Sequence, residues 1–148
     1  MKVRLTTYTD YALRTLMYVA LRDGELTRID EVAANYGISR NHLSKVVHNL
    51  GAKGYLQTVQ GRNGGFRLAR DAAEISVGRV VRDFEPDFEL VECFEPAASR
   101  CRIQPHCVLA GELGSALEAF LGRLDTVSLR DLVIPRVELR RTLSLPAG

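Results

Sequence analysis

The chain has 148 residues, 46% of them hydrophobic, and a formal net charge of +2. This length fits one domain with an added helix, and the apolar fraction is ample for a core. Three cysteines cannot all be paired, no charged start followed by an apolar stretch marks a secretory signal, and no apolar run approaches the ~20 residues of a membrane span. We therefore expect a cytoplasmic protein with reduced thiols.

Charge is distributed unevenly along the chain. Residues 1–70 carry 11 Lys/Arg against 5 Asp/Glu, whereas residues 71–148 carry 9 against 13. The N-terminal half is therefore the candidate surface for a polyanion. The stretch from Asp83 to Glu95 has six acids and no base, so we expect it to stay away from DNA.

The N-terminal third predicts three helices. Thr7 and Asp10 have the spacing of a capping box, and apolar residues at helical spacing follow them. A second helix is expected over residues 29–36. After a glycine-containing turn at residues 37–39, a third follows over residues 40–50, with Ser39 as its cap.

Two short strands are expected next, over residues 55–60 and 66–68, and residues 61–65 form a hairpin tip rich in glycine. Two helices joined by a short glycine turn outline a helix-turn-helix, and a hairpin behind them makes it winged. The sequence thus predicts a winged helix-turn-helix DNA-binding domain over residues 1–84.

The third helix is the candidate recognition helix. With its apolar positions facing the core, the outward residues suit the major groove: Arg40, Asn41, His42, Ser44, Lys45 and His48. At the wing tip Arg62 suits a narrow minor groove, and Asn63 lies beside it. We expect Arg4, Lys53 and Arg67 to hold phosphates. Each residue taken singly also fits a solvated surface, and such a fold also serves protein–protein contact, but the basic recognition helix favours DNA.

The remaining chain predicts a helix starting at Ile75 and Ser76, a cysteine-bearing loop over residues 85–107, and a long helix with a short terminal helix over residues 108–134. The long helix has an apolar stripe wide enough to pack against its own domain and a partner helix. Residues 135–148 are expected to be a flexible tail. The fold class is thus mostly α with a small β wing, extended by a long dimerisation helix.

All three cysteines lie in that loop, at Cys93, Cys101 and Cys107, with C-x7-C-x5-C spacing. Structural zinc sites usually contain CxxC pairs, whereas iron–sulfur clusters tolerate wider spacing. A cluster needing four ligands would take its fourth from elsewhere or leave that position open, and incomplete thiolate ligation suits a sensor. Two alternatives stay open, namely a disulfide between Cys101 and Cys107 under oxidative stress, and three unrelated surface cysteines.

Catalysis is not indicated. The chain shows no nucleophile–base motif and no helical histidine pair with metallopeptidase spacing, and the glycines of residues 61–65 lie between strands, the wrong context for a nucleotide. We therefore expect a protein that is not an enzyme.

Taken together, the chain resembles the Rrf2 family of bacterial winged-helix regulators over about residues 1–134. The cysteine segment is the most specific part of the match, and the matching segments are residues 5–14, 32–47, 61–65, 75–78, 90–93 and 101–109. This resemblance implies a homodimer crossed by the long helix and bound to an inverted repeat in double-stranded DNA.

The cysteine segment most resembles that of the family's nitric-oxide-sensing repressors. The resemblance implies that the cysteines hold a 4Fe–4S cluster, whose break-up by nitric oxide releases DNA. Asp10 matches the position whose carboxylate completes the cluster from the partner subunit in some members, and its alternative role is the helix cap with Thr7. Members with a 2Fe–2S cluster place a histidine where this chain has Ala110, which favours 4Fe–4S.

Overall fold

A computed structural model describes residues 3–146. These residues form helices and one two-stranded antiparallel sheet, in the order α1 (Thr7–Ala20), α2 (Ile29–Tyr36), α3 (Arg40–Ala52), β1 (Leu56–Val59), β2 (Gly65–Leu68), α4 (Val77–Phe84), α5 (Val108–Asp125), α6 (Leu129–Leu132) and α7 (Arg136–Thr142). The predicted fold class, mostly α with a small β wing, is confirmed. Within the same residues, no helix is long and apolar enough to cross a membrane.

Side-chain caps fix the starts of α1 and α3. Ser39 caps α3 as predicted, accepting a hydrogen bond from the amide of His42 at 3.2 Å. At α1 the capping-box prediction is wrong, because Thr6 rather than Thr7 is the cap and accepts from the amide of Thr9 at 3.3 Å. The carboxylate of Asp10 is therefore free of a capping role.

The helix-turn-helix and wing share one core. Leu16 of α1, Val32 of α2 and Leu43 of α3 are fully buried together, and Phe66 of β2 joins them. Burying a leucine or phenylalanine side chain contributes about 1.5–3 kcal/mol each, so this contact set fixes α3 relative to α1. The strands pair in the register Leu56 opposite Leu68 and so hold the hairpin beside the helices.

The long helix α5 is anchored at its C-terminal end against α4. A Cβ on Gly78 would lie 2.6 Å from the amide nitrogen of Asp125, so this crossing accepts only glycine. The amide of Val77 donates to the carbonyl of Val127 at 2.8 Å, which ties the chain after α5 to the start of α4. Toward its other end, α5 leaves Val108 75% exposed and Leu109 61% exposed. The predicted apolar stripe therefore has a part that its own chain does not cover.

The C-terminal segment is ordered where a flexible tail was expected, so that prediction is wrong for residues 135–146. Residues 136–142 form α7, and Leu143 and Leu145 behind it are buried. Two arginines of α7 explain the order, because Arg136 and Arg140 both donate to the carbonyl of Leu21 at the end of α1. Carbonyl groups at a helix C-terminus lack partners within the helix and carry partial negative charge, so guanidinium groups stabilise them. Residues 147 and 148 lie outside the described residues.

Candidate nucleic-acid interface and cysteine loop

The recognition helix α3 presents its polar face to solvent. Its apolar residues Leu43, Val46, Val47 and Leu50 are buried, as predicted. All six candidate DNA-contacting residues of the helix are exposed: Arg40, Asn41, His42, Ser44, Lys45 and His48. No acidic residue lies in the first turn of α3, and its N-terminal amides add positive potential there. The face can therefore accept phosphate oxygens and base edges.

The side chain of Arg40 is already paired with a carboxylate on α2. Its Nη1 lies 3.0 Å from Oδ1 of Asp30 on α2, and both side chains are 68% exposed. An exposed ion pair of this kind contributes at most about 1 kcal/mol. A guanine or phosphate can therefore displace Asp30, and sequence reasoning missed this competitor because it lies on a different helix.

The wing tip exposes Arg62 and Asn63, as predicted. Gly61 has φ +105°, and a Cβ on Gly64 would collide with the carbonyl oxygen of Val59, so the tight tip depends on both glycines. Arg28, just before α2, donates through Nη2 to the carbonyl of Arg62 at 3.2 Å. This contact, absent from the sequence predictions, fastens the wing tip to the helix-turn-helix.

The three predicted phosphate contacts lie on different elements. Arg4 and Lys53 are exposed before α1 and after α3, and Arg67 is exposed on β2 with its Nε 3.1 Å from Oε1 of Gln57. The structure therefore leaves all three cations at the surface.

The cysteine loop contains only two short 3-10 turns, Glu92–Phe94 and Gln104–His106. Cys93, Cys101 and Cys107 are all half-buried and free of disulfides. Among residues 3–146, no group of three His, Cys, Asp or Glu side chains is placed to hold a metal ion. A single chain thus does not bring the three cysteines and Asp10 together as one ligand set.

Asp10 lies on α1, with its Oδ2 2.8 Å from Nη2 of Arg14 one turn later. Both side chains are a little under half exposed. The carboxylate is therefore reachable from outside the chain, and its present partner is a guanidinium rather than a helix N-terminus.

The loop is also strongly acidic. Desolvation, together with the negative charges of Glu95 and Asp87, raises the pKa of Glu89. Like charges this close repel phosphate as well as each other. The acidic start of the loop is therefore an unfavourable surface for a polyanion, which agrees with the charge distribution of the sequence.

The chemistry of the donor set fits an iron–sulfur cluster. Three free thiols are soft ligands, and cysteine thiolates are the usual ligands of such clusters. The backbone hydrogen bonds within residues 91–107 join positions no more than four apart, so they offer little resistance to a rearrangement that would bring the cysteines together. The three thiols are therefore of the right chemical type to hold an iron–sulfur cluster. Within a single chain, however, they do not come together as one ligand set.

These features define the class of the protein: a winged-helix DNA-binding transcriptional regulator. The chain belongs to the Rrf2 family, whose model, described as an iron-dependent transcriptional regulator, matches residues 5–135. The resemblance expected from the sequence is confirmed.

Full-length relatives share the same regulator name. The HTH-type transcriptional regulator NsrR of Bacillus subtilis (strain 168) is 46% identical over 144 residues, covering 97% of this chain and 99% of that protein. Its namesake from Geobacillus kaustophilus (strain HTA426) is 49% identical over 147 residues, covering 99% of this chain and all of that protein.

Solved structures share the fold at lower identity. T. potens IscR has a TM-score of 0.72 at 20% identity and covers 100% of this chain and 96% of its own. CymR, described as the global cysteine regulator of B. subtilis, has a TM-score of 0.66 at 22% identity and covers 88% of this chain and 96% of its own. At this identity the two structures support the architecture alone.

Proposed function

We propose that this chain is a cytoplasmic, homodimeric repressor that binds an inverted-repeat operator and releases it in response to nitric oxide through an iron–sulfur cluster. The observation that carries the proposal is the combination of an exposed basic recognition helix with three free cysteines in one acidic loop. Relatives named as the regulator NsrR, 46% and 49% identical over nearly their whole length, support it.

Cys93, Cys101 and Cys107 would hold the cluster, with Asp10 of a partner subunit as the fourth ligand and 4Fe–4S favoured over 2Fe–2S. When bound, the cluster supplies iron that reacts with nitric oxide. The three thiolates would bring the loop together around the cluster, because a single chain does not gather them by itself. The carboxylate of Asp10 would be a harder ligand than the thiolates and would hold iron less tightly, which suits a sensor of a diatomic gas.

On the DNA side, residues 1–84 act as the reading domain. Arg40 and Asn41 lie at the N-terminal end of α3 and would read base edges in the major groove, with Ser44, Lys45 and His48 one to two turns behind. Arg62 would enter the adjacent minor groove, where a narrow groove attracts a guanidinium.

The dimer would form along α5, within the proposed dimerisation segment of residues 108–134. Phe120 is 47% exposed on this helix, and Val108 and Leu109 are more exposed still. Large apolar side chains left in solvent along one helix are the kind of surface that a partner helix covers. A two-fold dimer matches an inverted repeat in DNA, because each subunit then reads one half-site.

In a second candidate function, the protein binds DNA but responds through a disulfide and contains no iron. Cys101 and Cys107 are free in this structure and lie in one loop, so a disulfide between them under oxidative stress would constrain the loop directly. This thiol-switch candidate predicts a colourless protein that binds DNA fully when reduced. A 2Fe–2S regulator of the same family is the remaining variant.

The test is anaerobic purification followed by a stepwise addition of nitric oxide. Visible absorption and binding to a DNA duplex selected by the protein from a random pool are followed together. A coloured protein whose absorption bleaches as DNA is released agrees with the proposal. A colourless protein that releases DNA only on oxidation rejects the cluster and favours the thiol switch.

A further inference from the structure

Tyr8, in the first turn of α1, contacts two other elements at once. Its ring packs against Phe84, the last residue of α4, with centroids 5.4 Å apart. Its hydroxyl donates to the carbonyl oxygen of Lys45 at 3.3 Å and accepts from the side-chain amide of Asn49. Lys45 and Asn49 are one turn apart on the recognition helix, so a single hydroxyl group holds one edge of that helix.

The same turn of α1 is fastened to the start of the cysteine loop. Glu85, the residue directly after α4, accepts through Oε1 from the amide of Thr6 at 2.7 Å and from its hydroxyl at 3.2 Å. Thr6 is the cap of α1, and Cys93 follows Glu85 by eight residues. Hydrogen bonds to a carboxylate are stronger than those between neutral groups, so this attachment is firm.

These contacts form a continuous path of three packed elements. The start of the loop holds the cap of α1 through Glu85, and α1 holds α3 through Tyr8 two residues later. The backbone carbonyl of Lys45 is held from behind while its side chain points to solvent on the proposed DNA face. A shift of the loop start therefore moves the helix that carries the base-reading residues.

We propose that Tyr8 is a positioning residue for the recognition helix, and that Glu85 passes the state of the cysteine loop to it through the cap of α1. This inference rests on the proposed function, because it names the residues that would join the sensing loop to the reading helix. Neither residue is a proposed ligand or DNA contact, so both can be changed without removing either group.

The test is a double-mutant cycle with Tyr8→Phe, Glu85→Ala and the combined variant, read as the ratio of two dissociation constants. One is for a duplex selected by the wild-type protein, the other for a scrambled duplex of equal length at the same salt concentration. Each variant loses two hydrogen bonds, so each single change is expected to lower this selectivity by at least about fivefold, the effect of one ordinary hydrogen bond, and the pair no further than either alone. Full additivity, or unchanged selectivity in Tyr8→Phe, overturns the inference.

Tyr36→Phe is the matched control. The Tyr36 hydroxyl also donates to a backbone carbonyl, that of Arg14 at 3.2 Å, but Tyr36 lies on α2 and this hydrogen bond goes to α1 rather than to the recognition helix. This variant is expected to keep the wild-type selectivity. A loss equal to that of Tyr8→Phe would mean that any weakened tyrosine contact lowers selectivity, and it would also overturn the inference.

A second readout needs neither DNA nor cluster. In cluster-free protein, Glu85→Ala is expected to speed amide hydrogen exchange in residues 40–50 more than in α2, because only α3 is held through Tyr8. Equal acceleration in both helices, or none in residues 40–50, overturns the relay. If the wild-type protein selects no duplex, the proposed function fails, and this exchange measurement still decides the inference on its own.

Discussion

Asp10 and Arg14 form an ion pair along α1, with 2.8 Å between Oδ2 and Nη2. Nε of Arg14 also donates to Oδ1 of Asp10 at 3.1 Å, and the same carboxylate is the proposed fourth ligand of the cluster, so binding iron takes at least one of its oxygens from this guanidinium. The exchange is inexpensive, because an ion pair this exposed is worth at most about 1 kcal/mol. Arg14 is then available as a nearby positive charge beside the site.

The first prediction distinguishes the two roles of Asp10, as the ion-pair partner of Arg14 and as the proposed cluster ligand. Asp10→Asn and Arg14→Gln both remove the pair, so each should change the free energy of unfolding of the cluster-free protein by no more than about 1 kcal/mol. Only Asp10→Asn should also speed iron loss to a chelator, because it alone removes the carboxylate. Equal rates of iron loss in the two variants would reject Asp10 as a ligand.

The second prediction concerns the thiolates. Cys101→Ala removes one of three proposed cluster ligands, and the protein purified without oxygen should contain little iron or sulfide. His106→Ala is the control, since His106 is exposed in the same loop and is not a proposed ligand. Full iron content in Cys101→Ala would show that the ligand assignment is wrong.

The third prediction concerns the Arg40 ion pair with Asp30 on the recognition face. Arg40→Ala should weaken binding to the selected duplex by about 1–3 kcal/mol if Arg40 reads a base, and leave binding to a scrambled duplex less affected. Asp30→Asn removes the competing carboxylate and should bind as tightly as wild type or tighter. DNA-binding titrations of the two variants at one salt concentration measure these affinities. Unchanged selectivity in Arg40→Ala would show that Arg40 does not read a base.

Local signals made the reading domain predictable. The range of α2 and the Ser39 cap of α3 follow from hydrophobic spacing and a capping residue, both of which lie within one helix. The capping box of Ser128 and Asp131 at the start of α6 likewise joins residues only three apart. Each of these features depends on neighbours close in sequence.

Long-range contacts account for what the sequence did not reveal. Thr6 and Thr7 are chemically alike, and the choice of Thr6 as cap coincides with its bonds to Glu85, 79 residues away. The order of α7 depends on Arg140 meeting the carbonyl of Leu21. The gathering of the cysteines is a property that the single chain lacks altogether.

The fourth prediction is a pH dependence. Burial raises the pKa of Tyr36 to about 12, from the ordinary value of 10.0 that the unfolded chain retains. A raised folded pKa means that the stabilising contribution is complete below pH 10 and is lost as the pH rises toward 12. Tyr36→Phe cannot ionise, so its free energy of unfolding should fall less steeply over that interval.

Denaturant unfolding of wild type and Tyr36→Phe at pH values from neutral to the alkaline range measures this slope. At neutral pH the tyrosine is not ionised, so the difference in free energy of unfolding between the two proteins there measures the lost hydrogen bond to the carbonyl of Arg14. Burial and Asp83 raise the pKa of Tyr55 as well, so one variant removes only part of the alkaline loss. Parallel curves for the two proteins would contradict the assignment to Tyr36.

The fifth prediction tests whether the C-terminal segment belongs to the core. Leu143 is 7% exposed and Leu145 is 9% exposed, and both pack with residues of the reading domain. Leu143→Ala removes buried methyl groups and leaves a cavity, so it should lower the free energy of unfolding by about 2–5 kcal/mol. Val137→Ala, at a position 67% exposed on α7, should change it by less than about 0.5 kcal/mol. Equal effects in the two variants would mean that this segment contributes no packing in solution, whereas the expected difference makes α7 and its following residues part of the support of α1.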